Sequence, residues 1–217
     1  MSRKTRETKK NFKVFCEGDT EYNYIDEMRR QKRLSIAIKP VNMKGGGYSN
    51  FLEQVKTDGT ANCLAKFIII DGDRAVAEEG EKKKLRELLE YCILQNQSGR
   101  IPHFLIVDYP DFEYIACLHT PQYRGQTVAQ YIVKELKYKS VDEFKADVKV
   151  YNVLNANGNS SALMLSLLKN DNCFIVNDYS IKKNLYDIKI SSTTCDWEKL
   201  GRKSSNINEF FEIISSF

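Results

Sequence analysis

The sequence predicts an α/β fold, in which a mainly parallel sheet is flanked by helices. Four short apolar segments have the length of strands, and they alternate with segments whose apolar residues have helical spacing. Such alternation is typical of parallel sheets, because the chain must cross over the sheet between neighbouring strands. Residues 64–70 are apolar on both faces apart from Lys66, which predicts a central strand covered on both sides.

The individual elements follow from the apolar pattern. Strands are predicted at 11–16, 35–41, 64–70 and 102–107, and helices at 20–31, from Ser49 onward with its hydroxyl as the cap, and at 75–95. Further along, helices are predicted at 112–118, 126–136, 141–148, 160–169 and 207–214, a short strand at 173–176 and a loop at 191–194. We therefore expect a core at 11–120 and a mainly helical C-terminal extension at 121–217 packed on it, or one single domain that includes both.

Composition limits the classes of protein to which the chain can belong. Of its 217 residues 42% are hydrophobic, and the net charge of +4 permits a polyanionic partner without requiring one. No run approaches the ~20 apolar residues of a membrane span, so we expect a soluble protein. The six cysteines lack paired short spacings, which is typical of reduced thiols in a cytoplasmic protein. Because there are only two histidines, any metal ion would be held by oxygen.

Two acidic clusters follow predicted strands. Glu17 comes directly after the first strand, and Gly18 beside it leaves room for a substrate. Asp71 and Asp73 come after the third strand, and in an extended backbone residues i and i+2 point to the same side. Carboxylates suit Mg²⁺ or Mn²⁺, and ligands of parallel sheets bind at the carboxyl ends of the strands. Together the clusters predict a metal site at this edge of the sheet.

Each cluster also has a simpler interpretation. Acidic residues at strand ends commonly cap the next helix and interact with its dipole. Taken separately, Glu17 and the pair Asp71 and Asp73 fit this structural role as well as they fit metal binding. Their joint placement after the first and third strands favours the metal site.

Three motifs resemble those of a known family. They are Val-Phe-Cys-Glu-Gly-Asp-Thr-Glu at 14–21, Ile-Asp-Gly-Asp at 70–73, and Pro-Asp-Phe-Glu-Tyr at 110–114 followed by Leu118 and His119. In this order they resemble the RloB family, including AbiLii-like abortive-infection proteins, which are Toprim-related proteins of prokaryotic defence loci. The resemblance covers residues 14–119 and implies a Toprim-like sheet.

The resemblance also implies roles for single residues. Glu17 corresponds to the Toprim glutamate, and Asp71 and Asp73 correspond to its Asp-x-Asp pair. In the Toprim scheme the aspartates hold the metal ion, while the glutamate either helps to hold it or transfers a proton, and both roles stay open for Glu17. Glu21 belongs to the same family motif as Glu17, and its position on the first helix fits a supporting role.

Two residues of the third motif are further candidates. Glu113 is expected to reach the same mouth of the sheet from the end of the fourth strand, together with Asp108, and to join the catalytic carboxylates. His119 falls on one helical face with Phe112 and Ile115. We interpret it as a packed, hydrogen-bonded core histidine that supports the site.

A run of three glycines lies on the second strand-to-helix connection. The backbone N–H groups of Gly45, Gly46 and Gly47 could bind a phosphate at a helix start, although a flexible connection is the more ordinary interpretation. The run is not a P-loop, because the Gly-Lys-Ser/Thr ending is missing. In a parallel sheet its position would place it near the acidic clusters.

Taken with the resemblance, these features indicate a metal-dependent endonuclease that acts as the effector of an antiphage system. Its substrate would be DNA or RNA, and transfer RNA is a candidate because related Toprim effectors attack it. The sequence has no Walker motif, so ATP-driven control would require a separate ATPase, with which RloB-type genes are associated. The alternative is a non-catalytic interaction module that binds an ATPase or nucleic acid. Topoisomerase or primase activity would need large additional modules.

Overall fold

The computed structural model describes residues 10–32, 34–59, 61–168 and 173–217. The strands are β1 (Asn11–Cys16), β2 (Ala37–Asn42), β3 (Cys63–Asp71), β4 (His103–Asp108), β5 (Ile175–Lys182) and β6 (Asp187–Cys195). The helices are α1 (Asp19–Gln31), α2 (Gly47–Thr57), α3 (Asp73–Ala77), α4 (Glu79–Gln97), α5 (Phe112–Cys117), α6 (Val128–Lys134), α7 (Val141–Ala146), α8 (Val150–Val153), α9 (Ser161–Leu167) and α10 (Ile207–Ser215).

The first four strands form one parallel sheet in the order β2-β1-β3-β4. Strand β3 is central and buried along all of its length except Asp71 at its end. This follows from its sequence, because a strand that is apolar on both faces needs a neighbouring layer on each side. The predicted α/β fold is confirmed, and the arrangement is consistent with a Toprim-like sheet.

Alternation along the strands divides the apolar core into two layers. Phe67 and Ile69 of β3 face the layer that contains α1, α5 and α10, whereas Ile68 and Ile70 face the layer that contains α2 and α4. Successive side chains of a strand point to opposite faces, so this division follows directly from the chain order.

Two predictions about the helices on the α2 and α4 side of the sheet are wrong. The helix predicted at 75–95 is divided into α3 and α4, because Glu78 has an extended backbone between them. Helix α2 begins at Gly47, and the Ser49 hydroxyl does not cap it. Gly46 precedes this helix at a φ of 92°, a conformation that glycine adopts without steric cost.

The C-terminal part contains a β-hairpin as well as helices. The loop predicted at 191–194 lies within β6, which pairs with β5 as an antiparallel ribbon. The serine and threonine residues of this segment indicated a loop. Threonine is β-branched, however, and also suits a half-exposed strand. The segment is a strand because it pairs with β5. The helices predicted at 126–136, 141–148 and 160–169 are present in shortened form, and the one predicted at 207–214 extends to Ser215. Residue 169 lies outside the described residues.

The chain returns to the sheet before α10. The Asn206 side chain donates to the Leu105 carbonyl at 3.0 Å and accepts from the Val107 N–H at 3.0 Å, so it binds along the outer edge of β4. Phe210 of α10 then packs on Phe67 of β3, with ring centroids 5.0 Å apart. No helix in the described ranges is both long and apolar enough to cross a membrane.

Candidate functional site

The carboxyl ends of three neighbouring strands bring acidic side chains together. Glu17 follows β1, Asp71 ends β3, and Asp108 ends β4 directly opposite Asp71 in the strand register. Neighbouring strands are about 4.8 Å apart, so these carboxylates lie along one edge of the sheet. The strand order reverses between β1 and β3, which is the position where open parallel sheets bind ligands.

Backbone amides hold the carboxylates of Glu17 and Asp71. Glu17 Oε2 accepts a hydrogen bond from the Asp71 N–H at 2.8 Å, and Asp71 Oδ1 accepts one from the Phe112 N–H at 3.0 Å. Gly72 follows and packs so closely on β4 that an added Cβ would lie 3.1 Å from Val107 Cγ1. Glycine at this position therefore allows the end of β3 to approach β4.

Three more acidic residues are buried beside this pair. Glu21 lies over Gly18, where an added Cβ would meet Glu21 Oε2 at 3.3 Å, and Thr20 Oγ1 donates to Glu113 Oε1 at 2.6 Å. Asp108 is fully buried: the Ser205 hydroxyl donates to its Oδ1, and its Oδ2 has no hydrogen-bond partner within the described ranges. We call Glu17, Glu21, Asp71, Asp108 and Glu113 the carboxylate cluster.

Burial and mutual repulsion raise pKa values throughout the carboxylate cluster. Burial, and then the charges of Glu21 and Glu17, raise the pKa of Asp71 well above its ordinary value. Burial together with the Glu113 charge raises the pKa of Glu21 to about 8, and burial raises the pKa of Asp108 to about 7. The cluster therefore resists full ionisation at neutral pH, and a cation bound beside it would reverse this effect.

A lysine from the C-terminal part reaches the cluster. Lys145 Nζ, on α7, lies 3.2 Å from Glu113 Oε2, and about half of its side chain is exposed. Burial lowers the pKa of Lys145, but the charges of Glu113, Asp71 and Glu21 outweigh this effect and raise it. The Asn23 side chain donates to the Lys145 carbonyl at 3.1 Å, which holds α7 against α1. No sequence motif pointed to Lys145.

Asp73 differs from the carboxylates of the cluster in its surroundings. It is exposed, it is the first residue of α3, and its Oδ1 accepts from the Arg74 N–H at 2.6 Å. Gly72 has a helical backbone conformation, so the extended geometry assumed for Asp71 and Asp73 is wrong. Among the residues that the structure describes, no three acidic, histidine or cysteine side chains are arranged to hold a metal ion.

The glycine run lies beside the acidic site. Gly45, Gly46 and Gly47 have φ values of 75°, 92° and 70°, and the Gly45 N–H donates to the Glu17 carbonyl at 2.8 Å. An added Cβ on Gly47 would lie 3.0 Å from Arg74 Nη1. The expected proximity of this run to the acidic residues is thus confirmed, while phosphate binding by its N–H groups stays a prediction.

His119 is a core residue, as the sequence indicated. It is completely buried, its Nε2 lies 2.8 Å from the Tyr24 hydroxyl, and its Nδ1 faces the carbonyls of Ile115 and Ala116. Burial lowers its pKa to about 4, so the ring is neutral near pH 7. Its contacts support the packing of α1 against α5.

The sequence predicted that Glu17, Asp71, Asp73, Asp108 and Glu113 lie at one end of the sheet. Lys145 and Ser205 belong to no motif, so these two partners are recognised only by their contacts. Thr20 lies within the first motif, but its hydrogen bond to Glu113 was not predicted. Comparison of the chain with protein-family models, with curated proteins and with solved structures finds no match.

Proposed function

We propose that this chain is a metal-dependent phosphodiesterase that cleaves RNA or DNA internally. The observation that carries the proposal is the carboxylate cluster at the ends of β1, β3 and β4, where burial and repulsion raise the pKa values of Asp71, Glu21 and Asp108. Buried carboxylates in such numbers are costly unless a cation joins them. Mg²⁺ and Mn²⁺ take carboxylate oxygens and complete their coordination with water and phosphate.

The resemblance to the RloB family supports the same activity and suggests its setting. On this basis the protein is a cytoplasmic effector of an antiphage system, it is controlled by a separate ATPase, and transfer RNA is among its candidate substrates. The charge balance of the chain is compatible with a polyanionic substrate, because its formal net charge is +4 despite the acidic site.

The residues present fit a divalent cation by their chemistry. The available donors are carboxylate oxygens, and Asp108 Oδ2 is buried without a hydrogen-bond partner in the described ranges. By the resemblance, Glu17, Asp71 and Asp73 would hold the ion, and Asp73 would have to turn from its contact with the Arg74 N–H to reach it. When bound, the ion would act as a Lewis acid on the phosphate and lower the pKa of a bound water molecule.

Glu17 is suited to proton transfer as well as to binding the divalent ion. Its Oε2 is occupied by the Asp71 N–H, which leaves Oε1 to accept a proton or to contact the ion. Burial raises the pKa of Glu17, which brings the carboxyl closer to the range where a general base exchanges protons near neutral pH. The two roles inferred for Glu17 are therefore both compatible with its surroundings.

Lys145 is the residue that we assign to the substrate phosphate. An ammonium group has three donors, Glu113 occupies one, and the half-exposed position leaves the others accessible. Without such a cation the carboxylate cluster would repel a phosphodiester. Lys145 thereby gives the C-terminal part of the chain a role in substrate binding.

Replacing Lys145 by glutamine should weaken cleavage while leaving metal binding intact. A charge-assisted hydrogen bond contributes about 1.5–3 kcal/mol, so kcat/KM should fall by about 10- to 100-fold, mainly through KM. Lys145→Arg should recover most of the loss. Steady-state kinetics measures the loss of cleavage, and titration with Mn²⁺ followed by electron paramagnetic resonance measures metal binding. A Lys145→Gln variant with wild-type KM would contradict the assignment.

The activity itself is tested by incubating the purified protein with transfer RNA, total RNA and plasmid DNA in Mg²⁺ or Mn²⁺. We expect cleavage by the wild type, none in the presence of a chelator, and a loss of about 10²-fold or more in Glu17→Gln, as expected for a general base or a metal ligand. Glu87→Gln is the matched control, because Glu87 is an exposed carboxylate on α4 and is not a member of the carboxylate cluster.

Two outcomes would contradict the proposed activity. One is equal cleavage by the wild type and by Glu17→Gln, which would indicate a contaminating nuclease. The other is the absence of cleavage with every substrate and both metals, even after the ATPase partner has been added.

A non-catalytic interaction module is the second candidate, and the hydrogen bonds of the motif residues favour it. Glu17 and Asp71 each accept a backbone N–H, and Asp73 accepts one at the start of α3, so all three have a structural partner. On this alternative the protein binds an ATPase or nucleic acid without cleaving it. Retained nucleic-acid binding by Glu17→Gln, with no cleavage by the wild type, would support it.

A further inference from the structure

A cavity of about 310 Å³ lies at the opposite end of the sheet from the carboxylate cluster. Polar residues in its lining are Lys56, Asp58, Lys66, Tyr91, Gln95, Arg100 and His103. His103 begins β4 and Asp108 ends it, so five residues, or about 17 Å of strand, separate the cavity from the cluster. The cavity is therefore separate from the proposed phosphodiesterase site.

The cavity lining has an excess of positive charge. Lys66 is almost completely buried, and its Nζ contacts the carbonyls of Val55 and Asp58 and, at 3.0 Å, the Asp58 carboxylate. Asp58 is also paired with Lys13, so one carboxylate is shared by two cations. A buried ammonium with only half of a counterion leaves a positive potential in the space beside it.

Two exposed cations at the rim add to this potential. In the described ranges, neither Lys56 nor Arg100 forms an ion pair with a carboxylate, whereas Lys82 and Lys84 on the neighbouring helix α4 both do. Lys56 lies over the ring of Tyr91, 5.5 Å from its centroid, which keeps the ammonium at the cavity. These cations are available to an anion.

His103 supplies an unused hydrogen-bond acceptor. It is 3% exposed, and its Nδ1 lies 2.7 Å from the Ile101 carbonyl, so the ring proton is assigned to Nδ1. Its Nε2 is then an acceptor, and this atom is buried with no partner in the part of the chain that the structure describes. Unpaired buried polar atoms are uncommon and cost about 1–3 kcal/mol, so a donor from a ligand would stabilise this one.

We propose that this cavity binds a small phosphate ester that carries hydroxyl groups, such as a sugar phosphate. Lys56 and Arg100 bind the phosphate, for which the guanidinium group offers paired N–H donors. His103 Nε2 accepts a hydrogen bond from a hydroxyl of the ligand. The volume suits a ligand of this size, since small-molecule sites begin at about 300 Å³.

The chemistry of the site is tested by titration calorimetry with three compounds. Ribose 5-phosphate has both the charge and the hydroxyls, methyl phosphate has the charge alone, and ribose has the hydroxyls alone. We expect ribose 5-phosphate to bind about 5- to 10-fold more tightly than methyl phosphate, the equivalent of one hydrogen bond, and ribose not to bind measurably. Absence of binding by both phosphates would overturn the proposal.

The location of the site is tested with surface variants that should not disturb folding. Lys56→Gln combined with Arg100→Gln should weaken ribose 5-phosphate binding at least about 10-fold, because two charge-assisted contacts are lost. Lys83→Gln, an equally exposed position on α4, should have no effect. Unchanged affinity in the double variant, or an equal loss in Lys83→Gln, would place the ligand elsewhere.

The role of His103 has its own test. In the wild type the ring centroids of His103 and Tyr91 are 5.8 Å apart. The His103→Phe variant keeps an aromatic ring at this position and removes the Nε2 acceptor. This variant should bind methyl phosphate as the wild type does and lose the preference for ribose 5-phosphate. If the variant does not fold, the wild-type protein still tests the role of Nε2. Equal wild-type affinity for ribose 5-phosphate and methyl phosphate would contradict the assignment of Nε2 as a hydroxyl acceptor.

Discussion

Replacing Asp71 by asparagine should abolish most metal-dependent cleavage while leaving the chain folded. The amide oxygen of asparagine can still accept the hydrogen bond from the Phe112 N–H, so the end of β3 keeps its connection to α5. The negative charge is lost, and with it a ligand of the proposed ion. Metal ions supply several kcal/mol of transition-state stabilisation, so we expect cleavage to fall by about 10³-fold or more.

The same change should increase stability in the absence of metal. The pKa of Asp71 is raised by burial and by the charges of Glu21 and Glu17, which means that the folded chain disfavours the ionised form. A neutral side chain of equal size removes that repulsion. A gain in melting temperature together with a loss of activity is typical of residues retained for function at the expense of stability.

Thermal unfolding without divalent ions, combined with cleavage assays in Mn²⁺, measures both effects in one pair of proteins. Glu87→Gln again serves as the control, because it removes a carboxylate from an exposed helical position. Wild-type cleavage by Asp71→Asn would exclude Asp71 as a metal ligand. A lower melting temperature for this variant would instead show that the Asp71 carboxylate is structural, as the interaction-module alternative requires.

The sheet and the placement of its acidic residues were accessible from the sequence for a physical reason. Residues 64–70 offer no polar face, so only a central strand could accommodate them, and β3 has this position. Once the strands are parallel, residues that follow them meet at one edge. Glu17 and Asp71 could therefore be placed together before any contact was known.

Features that depend on packing between distant segments could not be predicted. Lys145 reaches Glu113 because α7 packs on α1, and Ser205 reaches Asp108 because the chain returns along β4. Neither contact leaves a periodic pattern in the sequence. The position of Asp73 was also misjudged, because the conformation of Gly72 determines whether its neighbours continue a strand or begin a helix.

Stability without divalent ions should decrease as the pH rises from about 5 to about 8. Burial raises the pKa of Glu21 from its ordinary value of 4.5 to about 8 and that of Asp108 from 3.8 to about 7. Between the unfolded and folded values the folded chain holds more protons than the unfolded chain, so the free energy of unfolding falls with rising pH. Each such carboxyl contributes a slope of about 1.4 kcal/mol per pH unit within its window.

Divalent ions should reverse this dependence if the cluster binds them. Mn²⁺ competes with protons for the carboxylates, so it should raise the melting temperature more at pH 8 than at pH 5. Thermal unfolding across this pH range, with and without Mn²⁺, measures both trends.

Two glutamine variants separate the contributions to the pH dependence. Glu21→Gln should flatten the slope and reduce the effect of Mn²⁺, because it removes a charge from the carboxylate cluster. Glu209→Gln is the matched control: burial raises the pKa of Glu209 to about 7, but this carboxylate binds Asn177 beside α10. It should flatten the slope without changing the response to Mn²⁺. If both variants respond to Mn²⁺ as the wild type does, the ion binds outside the cluster.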